Sequence, residues 1–248
     1  MPDTIRLKIK RQDNPQSSPY YEEFEIAYRP NMNVISCLME IQKNPVTRDG
    51  RKTSPVAWEA SCLEEVCGSC TILMNGRVGQ ACSALIDRLG RSITLEPMSK
   101  FPVVRDLIVN RQAMFDRLIK IRDWIPIDGT YDLGPGPRID HETQELRYRL
   151  SRCMSCGCCM EACPQFNQHS AFLGPAILNQ VYLHNLHPTG AMNKDERLQA
   201  IMGDGGITDC GKAQNCVQVC PKEIPLTIAI NALFRETTWH GLFGWLKS

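Results

Sequence analysis

The chain has 248 residues, 43% of them hydrophobic and 22% charged, with a formal net charge of +1. That balance suits one large domain or two ordinary ones, and it excludes the basic footprint of a nucleic-acid binder. Thirteen cysteines are the unusual number. An odd count, in a chain this long whose residues 1–16 do not read as an export signal, speaks for metal rather than a disulfide scaffold. No window reaches the roughly 18–20 apolar residues of a membrane span. The nearest, residues 224–234, reads as a buried helix.

Taken in chain order, alternation at Ile5, Leu7 and Ile9, and again at Phe24, Ile26 and Tyr28, predicts two half-buried strands. Helical spacing over residues 34–43 stops before Asn44-Pro45. Asn75-Gly76 predicts a hairpin after residues 71–74, and residues 93–96 predict a strand ending before Pro97. Residues 103–124 show a long helical pattern carrying Leu107, Ile108, Phe115, Leu118 and Ile119. Gly129, Gly134, Pro135, Gly136 and Pro137 make residues 127–138 a loop. Helical patterns follow at 144–152, 173–186, 193–203 and 224–246. Asn193 with Glu196 predicts a capping box, and Pro225 suits a first helical turn. The change of character near residue 105 divides the chain into domains 1–105 and 106–248.

The cysteines fall into three groups. Cys62-x4-Cys67-x2-Cys70, with Cys82 returned across the hairpin, has the plant-type spacing of [2Fe–2S] ligands. Gly68 and Ser69 are small enough to let backbone N–H groups turn towards the sulfurs. A zinc site would use two C-x2-C knuckles, and this stretch has one.

Cys153-x2-Cys156-x2-Cys159-x3-Cys163-Pro164 is the bacterial ferredoxin run, whose fourth cysteine serves the other cluster of a pair. The partner run, Cys210-x2-Ala213-x2-Cys216-x3-Cys220-Pro221, repeats the spacing with alanine at one ligand place. Cross-ligation then assigns Cys153, Cys156, Cys159 and Cys220 to [4Fe–4S], and leaves Cys163, Cys210 and Cys216 as a three-thiolate set. A cubane corner facing the Ala213 methyl group has no ligand, which favours [3Fe–4S]. A four-iron cluster with an exchangeable iron, or with a non-cysteine fourth ligand, is the alternative.

Two cysteines remain. Cys37, on an apolar helical face, reads as a small buried hydrophobe; Cys158, between two ligands, is also not assigned to metal. We find no G-x-G-x-x-G, P-loop or nucleophile elbow, so no catalytic residue and no organic substrate site are expected in this chain. The five histidines are scattered, and only His184 and His187 are candidates for proton movement near a cluster.

These three runs, together with Arg29-Pro30, residues 61–68, Leu95-Glu96-Pro97, residues 101–107 and Gly174-Pro175-Ala176, resemble the iron–sulfur subunit of succinate dehydrogenase and fumarate reductase over nearly the whole chain. The resemblance implies an α+β architecture: an N-terminal β-grasp plant-type ferredoxin domain followed by an all-α bacterial (two-cluster) ferredoxin-like domain. It also implies a flavoprotein partner whose covalent FAD oxidises succinate to fumarate. Electrons would pass through [2Fe–2S], [4Fe–4S] and [3Fe–4S] to quinone at a membrane-anchor cytochrome b subunit, with this chain held peripherally at the cytoplasmic face of the cell membrane. In ubiquinone-reducing relatives a tryptophan follows the Cys-Pro of the first run and a histidine follows the first cysteine of the second; the matching places here hold Gln168 and Gly211. With residues 126–132 and 187–191, that departure is closer to menaquinone-linked enzymes with a haem b anchor. Fumarate reductase, running the same wire in reverse, is the nearest alternative. A free ferredoxin carrier and a zinc-stabilised module are the others. The aromatic stretch 239–246 reads either as a helix packed on its own domain or as a dock onto the anchor.

Overall fold

The computed structural model describes residues 3–125 and 138–244. The chain divides into two compact units: Met1–Arg111 with Met154–Glu161, and Gln112–Cys153 with Ala162–Ser248.

The first unit is a five-stranded mixed sheet. Strand β1 (Thr4–Arg11) pairs antiparallel with β2 (Tyr20–Ala27), placing Leu7 opposite Phe24. Alternation along β1 sends Ile5, Leu7 and Ile9 into the core, all fully buried. Helix α1 (Val34–Lys43) follows, and its apolar positions Val34, Ile35, Leu38 and Ile41 bury one face in the same core, the 3.6-residue period that the sequence shows. Its N-cap is Asn33, whose side chain accepts from the Ser36 N–H at 2.8 Å. Strands β3 (Thr71–Met74) and β4 (Arg77–Gln80) form the expected hairpin. Asn75 and Gly76 both take positive φ, 50° and 75°, as a type I′ turn requires. After a single turn of helix, α2 (Ile86–Leu89), strand β5 (Ser92–Glu96) runs parallel to β1 and antiparallel to β3, so the sheet order is β2-β1-β5-β3-β4. A parallel pair at the centre, between two antiparallel hairpins and beside one helix, is the β-grasp arrangement.

The expected long helix at 103–124 is not formed. Its first part is a second small sheet, β6 (Val103–Arg105) with β7 (Ile108–Val109), and only Gln112–Lys120 is helix, α3. The cause is Asp106, which turns the chain at φ 47°. Its fully buried carboxylate accepts from Arg11 Nε at 2.9 Å, from the Gln12 N–H at 3.1 Å and from the Ala57 N–H at 2.8 Å. Arg11 is itself buried and also pairs with Glu22. A buried guanidinium must be neutralised by partners, and that requirement outweighs local helical periodicity.

Among the described residues, the second unit is helical without strands. After α3 come α4 (His141–Ser151), α6 (Pro175–Asn185), a 3-10 turn (Gly190–Asn193), α7 (Lys194–Met202), α8 (Asn215–Gln218) and α9 (Leu226–Phe243). The short α5 (Cys158–Glu161) belongs with the first unit. Helix α6 is buried nearly all round, through Ala176, Ile177, Leu178 and Val181, and packs on α9 and α7. Pro225 stands at the N-cap of α9, just before the first helical residue. Asp140 caps α4 by accepting from the Thr143 N–H, so that helix starts earlier than periodicity suggests. The capping box at Asn193 is absent: Asn193 closes the preceding 3-10 turn and makes no side-chain cap, while Glu196 pairs with Arg122. The expected loop at 127–138 lies outside the described residues apart from Arg138, as do the 126–132 motif and residues 245–248. Among the described residues no helix is long and apolar enough to cross a membrane.

Candidate iron–sulfur sites

All thirteen cysteines are unbridged; of the eleven candidate ligands nine lie in loops and turns, while Cys159 sits in α5 and Cys216 in α8. The loop before β3 carries Cys62, Cys67 and Cys70; Cys82 follows β4. The hairpin register sets Thr71 against Gln80, which brings the ends of the two strands, and so Cys70 and Cys82, together. Within the loop, the N–H groups of Glu64, Val66 and Cys67 donate to Cys62 Sγ at 3.4, 3.3 and 3.3 Å, and the Ser69 N–H donates to Cys67 Sγ at 3.5 Å. Aiming consecutive amides inwards demands left-handed backbone. Gly68 supplies it at φ 74°, but Leu63 and Glu65 also adopt it, at 60° and 56°. Small residues are therefore not the whole of the device that the spacing suggests; two large side chains share the strain.

The thiols respond to this setting as two pairs. The Cys62 N–H, with the hydroxyl and N–H of Ser69, holds the Cys67 thiol down at about 6, and Cys62 Sγ lies beside it. Burial pushes Cys70 up to about 11, with Cys82 as its immediate neighbour. Two irons, each needing two thiolates, fit two such pairs.

The second run divides between the units: Cys156 and Cys159 lie in the first, Cys153 and Cys163 in the second. Around Cys156, Ser155 and Gly157 have positive φ, 51° and 87°. The Cys158 side chain, hydrogen-bonded to Cys156, holds that thiol down to about 7 against its burial, and the Arg111 guanidinium adds to the effect. Cys158 is fully buried; its own thiol is pushed far up by the same hydrogen bond and by burial. Glu161, which ends α5, anchors the segment by accepting from the N–H and hydroxyl of Ser99 and from the Lys100 N–H.

The third set surrounds a cavity of about 330 Å³ in the second unit, lined by Cys163, Cys210 and Cys216 with Ala213 on its wall. Burial pushes the Cys216 thiol up to about 11, and Cys163 and Cys210 reinforce the shift as neighbouring thiols. Lys212 and Gln214 flank Ala213 in left-handed conformation, φ 52° and 63°. Three thiols line one cavity, and Ala213 presents a methyl group to it where the repeat would place a fourth. The residues present fit a three-thiolate cluster.

The remaining candidates are placed otherwise. Burial pushes Cys37 in α1 up to about 12, and it is part of the hydrophobic core. His184 Nε2 faces Asp123 Oδ1 at 2.7 Å. His187 Nδ1 accepts from the Thr189 and Gly190 N–H groups and so stabilises the 3-10 turn. Sequence reasoning missed three polar residues that serve the sites. Asn33 Nδ2 donates to the Cys82 carbonyl. Arg111 donates to the Gly68 and Ser69 carbonyls at 2.9 and 3.1 Å. Gln80 contacts both Cys70 and Cys158. Apart from Gln80 and Cys70, which share one hairpin, the partners are distant in sequence, so no local motif announces them.

A plant-type thiol loop on a β-grasp sheet, with two ferredoxin runs leading into a helical bundle, defines an iron–sulfur electron-transfer protein built from two kinds of ferredoxin. Comparison agrees with that class. Residues 6–116 match the 2Fe-2S iron-sulfur cluster binding domain family, and residues 149–224 match the 4Fe-4S dicluster domain family. The succinate dehydrogenase iron-sulfur subunit of Bacillus subtilis (strain 168) is 61% identical over 94% of this chain and 92% of its own length. The fumarate reductase iron-sulfur subunit of Wolinella succinogenes is 30% identical over 94% of this chain and 96% of its own. A chain of the Mycobacterium smegmatis Sdh1 complex shares the fold, with a TM-score of 0.77 over 96% of each chain at 22% identity. The chain belongs to the family of succinate dehydrogenase and fumarate reductase iron–sulfur subunits.

Proposed function

We propose that this chain conducts electrons within a succinate:quinone oxidoreductase. They enter from a flavoprotein subunit, where FAD oxidises succinate to fumarate, and leave to quinone at a membrane-anchor cytochrome b subunit. Cys62, Cys67, Cys70 and Cys82 hold [2Fe–2S]; Cys153, Cys156, Cys159 and Cys220 hold [4Fe–4S]; Cys163, Cys210 and Cys216 hold [3Fe–4S]. The domains are taken as 1–105 and 106–248, with the chain peripheral at the cytoplasmic face of the membrane. When bound, the clusters supply one-electron chemistry at potentials spread by cluster type and by hydrogen bonds to sulfur. The protein's part is to hold the thiolates, aim amides at them and exclude water.

The observation carrying this reading is the cavity whose three thiols close on Ala213. A menaquinone acceptor is supported at the same place. A side chain on Gly211 would meet the tip of the Gln165 side chain, Nε2, at 2.7 Å, so a histidine there would have to displace Gln165. The purified complex tests the proposal. Succinate should bleach its visible iron–sulfur absorbance, and a menaquinone analogue should restore it faster than a ubiquinone analogue does. A complex whose absorbance does not respond to succinate contradicts it. The reverse direction, fumarate reduction, is the second reading, favoured by the fumarate reductase relative; steady-state rates measured both ways separate the two.

A further inference from the structure

Between the first two thiol runs, within the first unit, one amide touches both. Gly68 makes the approach possible: a Cβ there would lie 2.7 Å from Cys156 Cβ and 2.8 Å from its Cα, so only glycine fits. Beside it, Gln80 is buried, with its Oε1 at 3.5 Å from Cys70 Sγ and its Nε2 at 3.4 Å from Cys158 Sγ. Cys158 in turn acts electrostatically on the neighbouring Cys156 thiol.

The orientation of this amide is determined by a third residue. Thr71 Oγ1 donates to the Gly68 carbonyl at 2.7 Å, which uses its only proton. Its oxygen, 2.8 Å from the Gln80 amide nitrogen, can then only accept, so the N–H end of Gln80 must point that way. The carbonyl end is left facing Cys70. Once Cys70 binds iron its sulfur has no proton to give, and the carbonyl oxygen presents negative charge to an anionic ligand.

We propose that Gln80, held by Thr71 and extended by Cys158, is a fixed dipole between the [2Fe–2S] and [4Fe–4S] clusters that biases the electron from the first towards the second. The inference rests on the ligand assignment proposed above. The negative end of the amide disfavours added charge at the Cys70 cluster and so lowers its potential. The positive end reaches the Cys156 cluster through the Cys158 S–H and raises its potential, since donors to sulfur stabilise the reduced state. One electron leaves one cluster as it enters the other; no bond forms and no proton moves. Gln80 and Cys158 are positioning residues and hold no iron.

EPR-monitored redox titration of the purified holo-complex, with iron and labile sulfide counted, tests this. Gln80→Leu should keep both clusters while the two potentials move in opposite directions, [2Fe–2S] up and [4Fe–4S] down. Together the changes should shift the electron's partition by about tenfold, equivalent to about 59 mV for one electron. Cys158→Ala should lower [4Fe–4S] alone, and Cys158→Ser, which restores a donor, should bring it back. Thr71→Val, which frees the amide to turn, should raise [2Fe–2S]; it stands as an independent arm should Gln80→Leu assemble poorly. Full iron with unmoved potentials, or with both moving the same way, overturns the dipole while leaving the ligand assignment intact. Loss of cluster iron on Cys158→Ala overturns the ligand assignment itself.

Discussion

At the scale of single residues, chemistry is decided by what each sulfur faces. Cysteine spacing alone told which thiols are candidates, because C-x4-C-x2-C and the C-x2-C-x2-C-x3-C-P repeat leave few other uses for so many thiols. What spacing could not show is the surroundings of each one. Cys67 meets amides and a hydroxyl and is held at about 6, whereas Cys216 is buried beside two other thiols and rises to about 11. In the metal-free chain this contrast is directly readable by alkylation with iodoacetamide, which attacks thiolate. Thiolate forms as pH rises through the pKa, so Cys67 should reach half its maximal rate near pH 6 and be fully reactive at pH 7. Cys216 should stay slow until the pH approaches 11. Equal rates for the two at pH 7, read by mass spectrometry, would contradict the amide cradle. Ala213 carries the second residue-scale prediction. Ala213→Cys supplies the absent thiolate, so the oxidised protein should exchange its three-iron EPR signal for a four-iron cluster. A persisting three-iron signal would show that something other than this methyl group sets the iron count.

At the scale of elements, periodicity was a good guide where one face is buried and a poor one where a buried charge intervenes. Helix α1 and strands β1 and β2 follow their apolar patterns closely, and Asn75-Gly76 names its own turn. Residues 103–124 look helical because Leu107, Ile108 and Phe115 recur at suitable intervals. Yet Asp106 is drawn out of that register by Arg11, 95 positions away in sequence. The capping box at Asn193 failed for a related reason, since the preceding 3-10 turn already occupies the cap position. A cap that did form links an element to a site. Asn33 holds the N-terminus of α1 through Ser36 and the backbone of Cys82, the proposed fourth ligand, through its carbonyl. Asn33→Ala should therefore cost about 1 kcal/mol in denaturant unfolding, as cap removals do. It should also broaden or deplete the [2Fe–2S] EPR signal while the other clusters persist. A loss of stability with an unchanged signal would confine Asn33 to capping.

At the scale of the whole molecule, two ferredoxin plans share one chain. The match of residues 6–116 to one family and 149–224 to another reproduces that composition, and the cysteine runs alone make it legible. The interleaving was not legible: Met154–Glu161 belongs with the β-grasp unit although it lies in the bacterial ferredoxin run. That placement is what lets Gly68, Gln80 and Cys158 serve both thiol sets, and no periodic pattern encodes it. The central claim is that these eleven thiolates carry three clusters of different kinds. EPR of the isolated complex during redox titration, with metal analysis on the same sample, tests it most directly. It should give one signal from an oxidised three-iron centre and two from reduced two- and four-iron centres, with about nine iron atoms per chain. A colourless preparation without inorganic sulfide, or an oxidised sample with no three-iron signal, would contradict it.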